Sequence, residues 1–192
     1  INRFTGYMCA FQDKISQANP DGMMVSFIQS NYRGFGSGIV IPGTGISMND
    51  RMENFRFDPA HANCLEGGKR PYHTIIPGFL SKEGKAVGPF GIMGGFMQPQ
   101  AHVQVVENLI DWHLNPQQAL DSPRWQWIGG KKIDIEADVP PAEVLKLIRR
   151  GHEVTVKADL TAMGRGQMIL RAPDGTLCGA TEKRSDGQIM SY

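Results

Sequence analysis

The chain has 192 residues, of which 41% are hydrophobic, and its formal net charge at pH 7 is +1. This length and composition suit one domain with a hydrophobic core. The near-neutral charge, without any Lys/Arg-rich run, argues against a nucleic acid partner. No apolar run reaches the ~18 residues of a membrane span, and the three cysteines form neither a C-x-x-C pair nor a zinc pattern. We therefore expect no metal, no cofactor, no nucleic acid and no membrane contact for this chain.

The chain begins at Ile1 and carries no signal-peptide pattern there. Such a beginning is typical of a shortened chain or of one product of a processed precursor. Any targeting signal would then lie on an upstream piece, which leaves open whether the protein is periplasmic, extracellular or cytoplasmic.

The first half of the chain predicts β-strands. Residues 7–12 and 23–30 are short apolar segments bounded by turn residues, and residues 19–22 form the turn ahead of the second segment. This second segment alternates too little for a one-faced strand, so we expect both of its faces to be covered. Two further strands are predicted at residues 75–80 and 87–93.

The second half mixes helices and strands. Val103, Val106 and Ile110 share one helical face, which predicts a helix over residues 98–114 that is packed on more than one side. This order of elements indicates an α+β layered sandwich in a single domain. The remaining predicted elements are a short helix at 116–120, a strand at 132–136, a helix at 141–150, a strand at 152–157 and a hairpin of strands 167–171 and 176–181.

A bare glycine pair, Gly94 and Gly95, stands directly before the long predicted helix. Paired glycines in this position leave backbone N–H groups unshielded, as a developing oxyanion requires. Alone, such a pair is more often a tight turn. Its neighbours in the sequence therefore decide how it is interpreted.

Polar residues and glycines follow the strand that ends at Ser30. Residues 30–38 place Ser30 and Tyr32 at a strand end, where ligands often bind. The segment lacks the G-x-x-x-x-G-K-[ST] pattern of a phosphate loop. Judged from its local sequence, a glycine-rich bend in a sheet is an equal alternative.

Two more polar segments contain candidate binding residues. The planar fork of Arg51 could clamp a carboxylate and Asn54 could bond an amide or amine, although residues 49–54 alone are more typical of a solvated charge cluster. His73 has no partner at the spacing of a catalytic triad or a metal site. The pair His73-Thr74 therefore predicts a substrate contact rather than a base.

Taken together, these segments resemble the small, catalytic subunit of the γ-glutamyltranspeptidase family, whose members are N-terminal nucleophile (Ntn) hydrolases. The resemblance implies a four-layer αββα sandwich that is completed by a separate large subunit of the same precursor. Residues 1–192 would be a single catalytic segment of that two-subunit domain, and residues 14–20 would be extra material after its opening strand. The stretches that carry the resemblance are residues 24–45, 68–77, 94–100 and 116–125.

The resemblance also implies the catalytic residues. The family's nucleophile is a threonine at the new N-terminus, whose own α-amine, with a pKa near ~8, serves as the base. Thr5 is the candidate here, and its amine becomes free only if residues 1–4 are removed. Ser30 would support the nucleophile, and the N–H groups of Gly94 and Gly95 would stabilise the oxyanion.

The implied substrate pocket departs from that of the transpeptidases. Asn54 stands where they carry an aspartate, so the charge that would pair with a substrate ammonium is lost. Arg51 would repel an ammonium and attract a carboxylate. Both changes are similar to those of cephalosporin or glutaryl acylase-like members. The substrate-contacting positions fall on Tyr32, Arg51, Asn54, His73 and Thr74.

The sequence thus predicts an amidohydrolase that cleaves a γ-glutamyl or related acyl amide through an acyl-threonine and matures by autoproteolysis. One alternative is a glutaryl or cephalosporin acylase with little transferase activity. The other is an unprocessed homologue that binds a ligand without turnover.

Overall fold

The computed structural model of the protein describes residues 12–19 and 21–191, and these residues form nine β-strands and three α-helices. The predicted strand 7–12 lies outside them except for its last residue. In chain order the elements are β1 (Gln12–Ala18), β2 (Met24–Ser30), β3 (Gly78–Lys82), β4 (Lys85–Met93), α1 (Gln98–Ile110), α2 (Pro116–Asp121), β5 (Trp125–Gly129), β6 (Lys132–Glu136), α3 (Pro141–Arg149), β7 (Glu153–Lys157), β8 (Arg165–Arg171) and β9 (Leu177–Thr181).

An antiparallel hairpin, β1 and β2, opens the described chain, and its register places Gln12 opposite Ser30. Ser16 and Ala18 are both buried, so small residues on the inner face allow an otherwise polar segment to form a strand. The interpretation of residues 14–20 as extra material after the opening strand is therefore wrong. Residues up to Ala18 belong to β1 itself.

A four-stranded sheet of order β3-β4-β8-β9 lies at the centre of the fold. Helices α1 and α2 cover one face of it. The hairpin lies over β4 and β8 on the other face, where the Ser26 hydroxyl donates to the Phe90 carbonyl at 3.1 Å. The predicted α+β sandwich is confirmed, with the hairpin, the sheet and the helices stacked as layers. The core between sheet and helices comprises Phe90, Ile92, Met97, Ala101, Val105, Ala119, Leu120, Met168 and Ala180.

Helix α1 differs from its prediction in length and in the face that it buries. It ends at Ile110 rather than at 114, since His113 adopts a φ of 52° that no helix continues. Val103 and Ile110 are 57% and 56% exposed, whereas Val106 packs against the core, so the predicted apolar face is buried only in part. The helix instead turns inward the side that carries His102, because this ring bonds the backbone carbonyl of Ile76 at 3.1 Å.

Helix α2 agrees with its prediction to one residue and begins with a capping box. The Asn115 side chain accepts the Gln118 N–H at 2.9 Å, and the Gln118 side chain accepts the Asn115 N–H at 3.2 Å. Strand β6, helix α3 and strand β7 also follow their predictions, with α3 as the crossover between two parallel strands. Strand β5 was missed, although two tryptophans that alternate before Gly129-Gly130 are a hairpin signal.

The outer face of β2 is apolar and exposed. Val25 and Phe27 are 40% and 46% exposed, so the described residues cover this strand on one face and not, as predicted, on both. Among the described helices, none has the length and apolar character needed to span a bilayer.

Candidate active site

A cavity of about 50 Å³ lies where the segment after β2 meets the start of α1. It brings together four of the residues predicted from sequence, although they are far apart along the chain. Tyr72 and Phe96, which sequence reasoning missed, add aromatic walls to it. The lining residues are Tyr32, Tyr72, His73, Thr74, Ile76, Gly95, Phe96 and Pro99.

The glycine pair forms a sharp turn at the end of the central strand β4. Gly94 has φ 148° and ψ 31°, and Gly95 has φ 58° and begins a short 3-10 turn, Gly95–Met97, that leads into α1. The first N–H groups of such a turn have no partner within it. Among the described residues, no loop or turn hydrogen bond uses the N–H of Gly94 or Gly95. Of the two glycines, Gly95 lines the cavity.

Tyr32 reaches the cavity through a backbone conformation that is rare for a side chain of its size. Its φ is 76°, which costs on the order of 1–3 kcal/mol and persists only where neighbours enforce it. Its N–H donates to the Ser30 hydroxyl oxygen at 2.8 Å, and the next N–H, of Arg33, donates to Asp50 at 3.1 Å. The Tyr32 hydroxyl then donates to the side-chain oxygen of Asn54 at 2.9 Å.

Arg51 links several of the candidate residues to one another. Its Nε donates to the Thr74 hydroxyl and its Nη2 donates to the Ser30 carbonyl, each at 3.0 Å. The guanidinium also lies 5.8 Å from the centre of the Tyr32 ring. Arg51 is only 7% exposed, and no carboxylate of the described residues forms an ion pair with it. Glu53, two positions along the chain, pairs with Arg33 instead.

This arrangement makes Arg51 an unneutralised cation in a mostly buried place. Buried charges in proteins are nearly always paired, because removing them from water is costly. An anion would therefore stabilise this side chain, and an anionic ligand in the cavity beside Thr74 would supply one. The carboxylate clamp predicted from sequence stays a prediction.

His73 is oriented by its own backbone. Its Nδ1 accepts a hydrogen bond from the Ile75 N–H at 3.1 Å, so the neutral tautomer carries its hydrogen on Nε2. In that tautomer Nε2 is a hydrogen-bond donor. The exposed imidazole can therefore donate to an oxygen of a ligand, and its predicted contact with the substrate stays a prediction.

Gln98 is a further residue that sequence reasoning missed. It is 1% exposed, and its amide nitrogen donates to the Thr74 carbonyl at 2.8 Å, which fixes the segment that contains His73. Its amide oxygen is buried without a partner in the described part of the chain. The sequence feature that could have identified Gln98 is a glutamine at the first position of an apolar helix, directly before Pro99.

Thr5 lies outside the described residues, so its role stays a prediction. The remaining candidates form one connected group. Ser30 joins Tyr32 and Arg51 through its hydroxyl and carbonyl oxygens, and Gly94 adjoins the cavity through Gly95.

Two stacked sheets under a helical layer, with a glycine turn at the end of a central strand, are the architecture of the Ntn hydrolases. The chain belongs to the gamma-glutamyltranspeptidase family, whose pattern matches residues 14–192.

Known relatives support this assignment and differ in what their names describe. The oxamate amidohydrolase proenzyme of Klebsiella pneumoniae is 38% identical over 177 residues, which cover 89% of this chain and 34% of that protein. The crystal structure of cephalosporin acylase from Bacillus halodurans is 57% identical with a TM-score of 0.90, covering 93% of this chain and 34% of that one. Gamma-glutamyltranspeptidase from Pseudomonas nitroreducens, complexed with L-DON, is 26% identical with a TM-score of 0.79, covering 97% and 98% of the two chains.

The chain spans about a third of the length of the curated relatives that it matches. The family match begins at residue 14, beyond Thr5.

Proposed function

We propose that this chain is the catalytic subunit of an amidohydrolase that cleaves acyl amides whose acyl group carries a carboxylate, of the γ-glutamyl or glutaryl type. One observation carries the proposal: the cavity gathers Gly95, Tyr32, His73 and Thr74, and the Thr74 hydroxyl accepts a hydrogen bond from the buried, unneutralised Arg51. The proposed oxyanion site and the proposed carboxylate site are then adjacent. That is what hydrolysis of such an amide requires.

The proposed chemistry proceeds in two steps. The Thr5 hydroxyl attacks the amide carbonyl while its own α-amine takes the proton, and the negative oxygen binds the N–H groups of Gly94 and Gly95. The C–N bond breaks, the amine leaves with that proton, and the acyl group remains on Thr5 as an ester. Water, or an acceptor amine in a transferase reaction, then attacks the ester and restores the hydroxyl.

The register of the hairpin sets a condition on Thr5. Gln12 lies opposite Ser30, and Thr5 precedes Gln12 by seven residues. A fully extended segment of that length would carry Thr5 about 23 Å away from Ser30. The proposed role therefore requires residues 5–11 to return toward the cavity once residues 1–4 are removed.

Intact-mass analysis of the full-length protein tests this step. We expect two chains, the smaller beginning at Thr5, and we expect Thr5→Ala to remain a single chain without hydrolytic activity. Thr176→Ala, in the β8–β9 turn, serves as the matched control and should mature normally. A smaller chain that begins at any other residue would remove Thr5 from the mechanism.

The same register favours a second candidate function, a homologue that binds its ligand without turnover. A chain without a nucleophile opposite Ser30 would keep the pocket and lose the chemistry. An uncleaved protein that binds glutarate with the cavity intact, yet hydrolyses no anilide, would establish this alternative.

The choice of acyl group is tested with paired chromogenic substrates. We expect glutaryl p-nitroanilide to be hydrolysed at least as fast as γ-glutamyl p-nitroanilide, because Asn54 offers no charge to a substrate ammonium and Arg51 repels one. Faster turnover of the γ-glutamyl substrate would contradict the acylase-like preference and leave the transpeptidase type.

A large subunit is the proposed partner, with its contact on the outer face of β2. Val25 and Phe27 present an exposed apolar strand surface that the described chain leaves uncovered. The matched Pseudomonas nitroreducens chain is about as long as this one, whereas the matched Bacillus halodurans chain is about three times as long, so related chains occur both at this length and as part of a longer polypeptide.

Expression of residues 1–192 alone should therefore give no cooperative thermal transition, while coexpression with the upstream polypeptide should restore one. Phe27→Ser should weaken the recovered complex about tenfold or more, since burial of such a ring contributes about 1.5–3 kcal/mol. Trp112→Ser changes an exposed aromatic residue just beyond α1 and should have little effect. A cooperative melt of the isolated chain would contradict the need for a partner.

A further inference from the structure

We propose that Arg124 and Glu182 are positioning residues that hold the Gly94-Gly95 turn in place through the backbone of Gly164. The inference rests on the proposed function for its catalytic consequence, and on contacts within the described chain for its structural one. Neither residue touches the cavity.

Arg124 donates hydrogen bonds to the turn that precedes β8. The guanidinium is 1% exposed, and its Nη1 donates to the carbonyls of Met163 at 3.0 Å and Gly164 at 2.9 Å. Its Nη2 donates to the Leu120 carbonyl at 3.1 Å and to Glu182 at 2.6 Å. One planar group thus fixes two consecutive carbonyls relative to the end of α2.

Gly164 in turn packs against Gly94, the first glycine of the proposed oxyanion site. A methyl group added at Gly94 would lie 2.9 Å from the Gly164 Cα, and one added at Gly164 would lie 2.8 Å from the Ile92 side chain and 3.1 Å from the Met93 carbonyl. The two glycine backbones are therefore in direct contact, without space for a side chain between them. Any movement of Gly164 is transmitted to Gly94.

The contacts of Arg124 belong to a buried network of two arginines and two glutamates, whose formal charges cancel. Glu182 accepts hydrogen bonds from Arg124, from Arg184 and from the Gly166 N–H, the last at 3.0 Å. Arg184 also forms a bidentate pair with Glu136, with both contacts at 2.6 Å. Burial lowers the pKa of Arg124, and the adjacent Glu182 opposes that effect. In Arg184 burial also lowers the pKa, but its hydrogen bonds to Glu136 and the charge of Glu182 raise it above the usual value.

Such a network contributes little net stability compared with apolar residues of the same volume, because its charges lose their hydration. What apolar side chains cannot do is bind several carbonyl groups at fixed distances. We therefore assign to the network a geometric role, which is to set the position of the backbone at Gly164 and, through it, of the oxyanion donors.

The test uses the full-length protein with Arg124→Lys, which keeps the charge and loses the fork, and Glu182→Gln as a second variant. Two measurements are made: kcat and KM for glutaryl p-nitroanilide, and hydrogen–deuterium exchange of peptides that cover residues 91–99. We expect kcat to fall about 100-fold with KM changed less than about threefold. The exchange of residues 93–97 should be about tenfold faster, while that of α3, which has no residue in the network, is unchanged.

A pair of glycine variants separates position from backbone strain. Gly164 and Gly175 have φ of 81° and 90°, but a methyl group at Gly175 meets nothing within 4 Å. Gly164→Ala should therefore reproduce the local exchange and the loss of kcat, whereas Gly175→Ala should show neither.

Unchanged exchange at residues 93–97 in both Arg124→Lys and Glu182→Gln would overturn the proposal, as would faster exchange spread evenly over the whole chain. If the parent protein hydrolyses no substrate, the proposed function fails while the exchange measurement still decides the positioning role.

Discussion

Replacement of Gly94 by alanine is expected to reduce kcat for a glutaryl anilide by about 100-fold or more, close to the loss of an oxyanion donor. Replacement of Gly95 is expected to reduce it less than about tenfold. The two glycines are adjacent and both would donate an N–H group to the oxyanion. Their expected difference comes from the backbone and from the space around each Cα.

Gly94 combines φ 148° with ψ 31°, a conformation that alanine does not adopt without strain. An added methyl group would also lie 2.9 Å from the Gly164 Cα, and a backbone atom cannot swing aside as a side-chain end can. Gly95 has φ 58°, within the left-handed region that alanine reaches at a cost of about 1–2 kcal/mol, and a methyl group there meets nothing within 4 Å.

Steady-state kinetics of the two variants, each with its melting temperature, check this prediction. The matched pair controls for the loss of a glycine at the same turn. Equal kcat values for Gly94→Ala and the parent would show that this turn does not hold the oxyanion, and would leave the glycines as a simple bend between β4 and α1.

Elements that depend on neighbouring residues were predictable from the sequence. The capping box at Asn115, the alternation in β6 and the proline and glycine that bound α3 each act within a few positions. For the same reason the glycine pair could be placed before a helix. Residues that share one segment, such as His73 and Thr74, were interpreted together and do lie on one cavity.

Elements that depend on distant partners were not predictable. The face that α1 buries is decided by His102 and Gln98, whose side chains bond carbonyls that lie 24 or more positions away. The ion pair of Arg124 joins residues 58 positions apart. The direction of the Tyr32 ring follows from its positive φ. Asp50 stabilises this conformation by accepting a hydrogen bond from the Arg33 N–H, and no local sequence pattern predicts it.

These long-range contacts explain why a cluster of polar segments becomes one site. Arg51 ties the end of β2, at Ser30, to the segment that carries Thr74. It organises the segments around the pocket, and in the proposed function it also supplies the positive charge for the substrate carboxylate. A substitution must therefore be designed so that the two roles give different results.

Replacement of Arg51 by glutamine should lower kcat/KM for glutaryl p-nitroanilide about 10- to 100-fold, since a hydrogen bond to a charged group contributes about 1.5–3 kcal/mol. For valeryl p-nitroanilide, which has the same chain length and no carboxylate, we expect a change of less than about threefold. Most of the loss should therefore be confined to the substrate that brings the anion, because glutamine keeps a donor for Thr74 and loses the cation together with the donor to the Ser30 carbonyl.

Arg33 provides the matched control. Its guanidinium also flanks the Tyr32 ring, at 5.6 Å, but it is exposed and already paired with Glu53 at 3.1 Å. Arg33→Gln should leave the ratio of the two kcat/KM values unchanged. Equal losses on both substrates in Arg51→Gln would mean that Arg51 only supports the pocket, and the anion that neutralises it would then have to come from a partner chain rather than from the substrate.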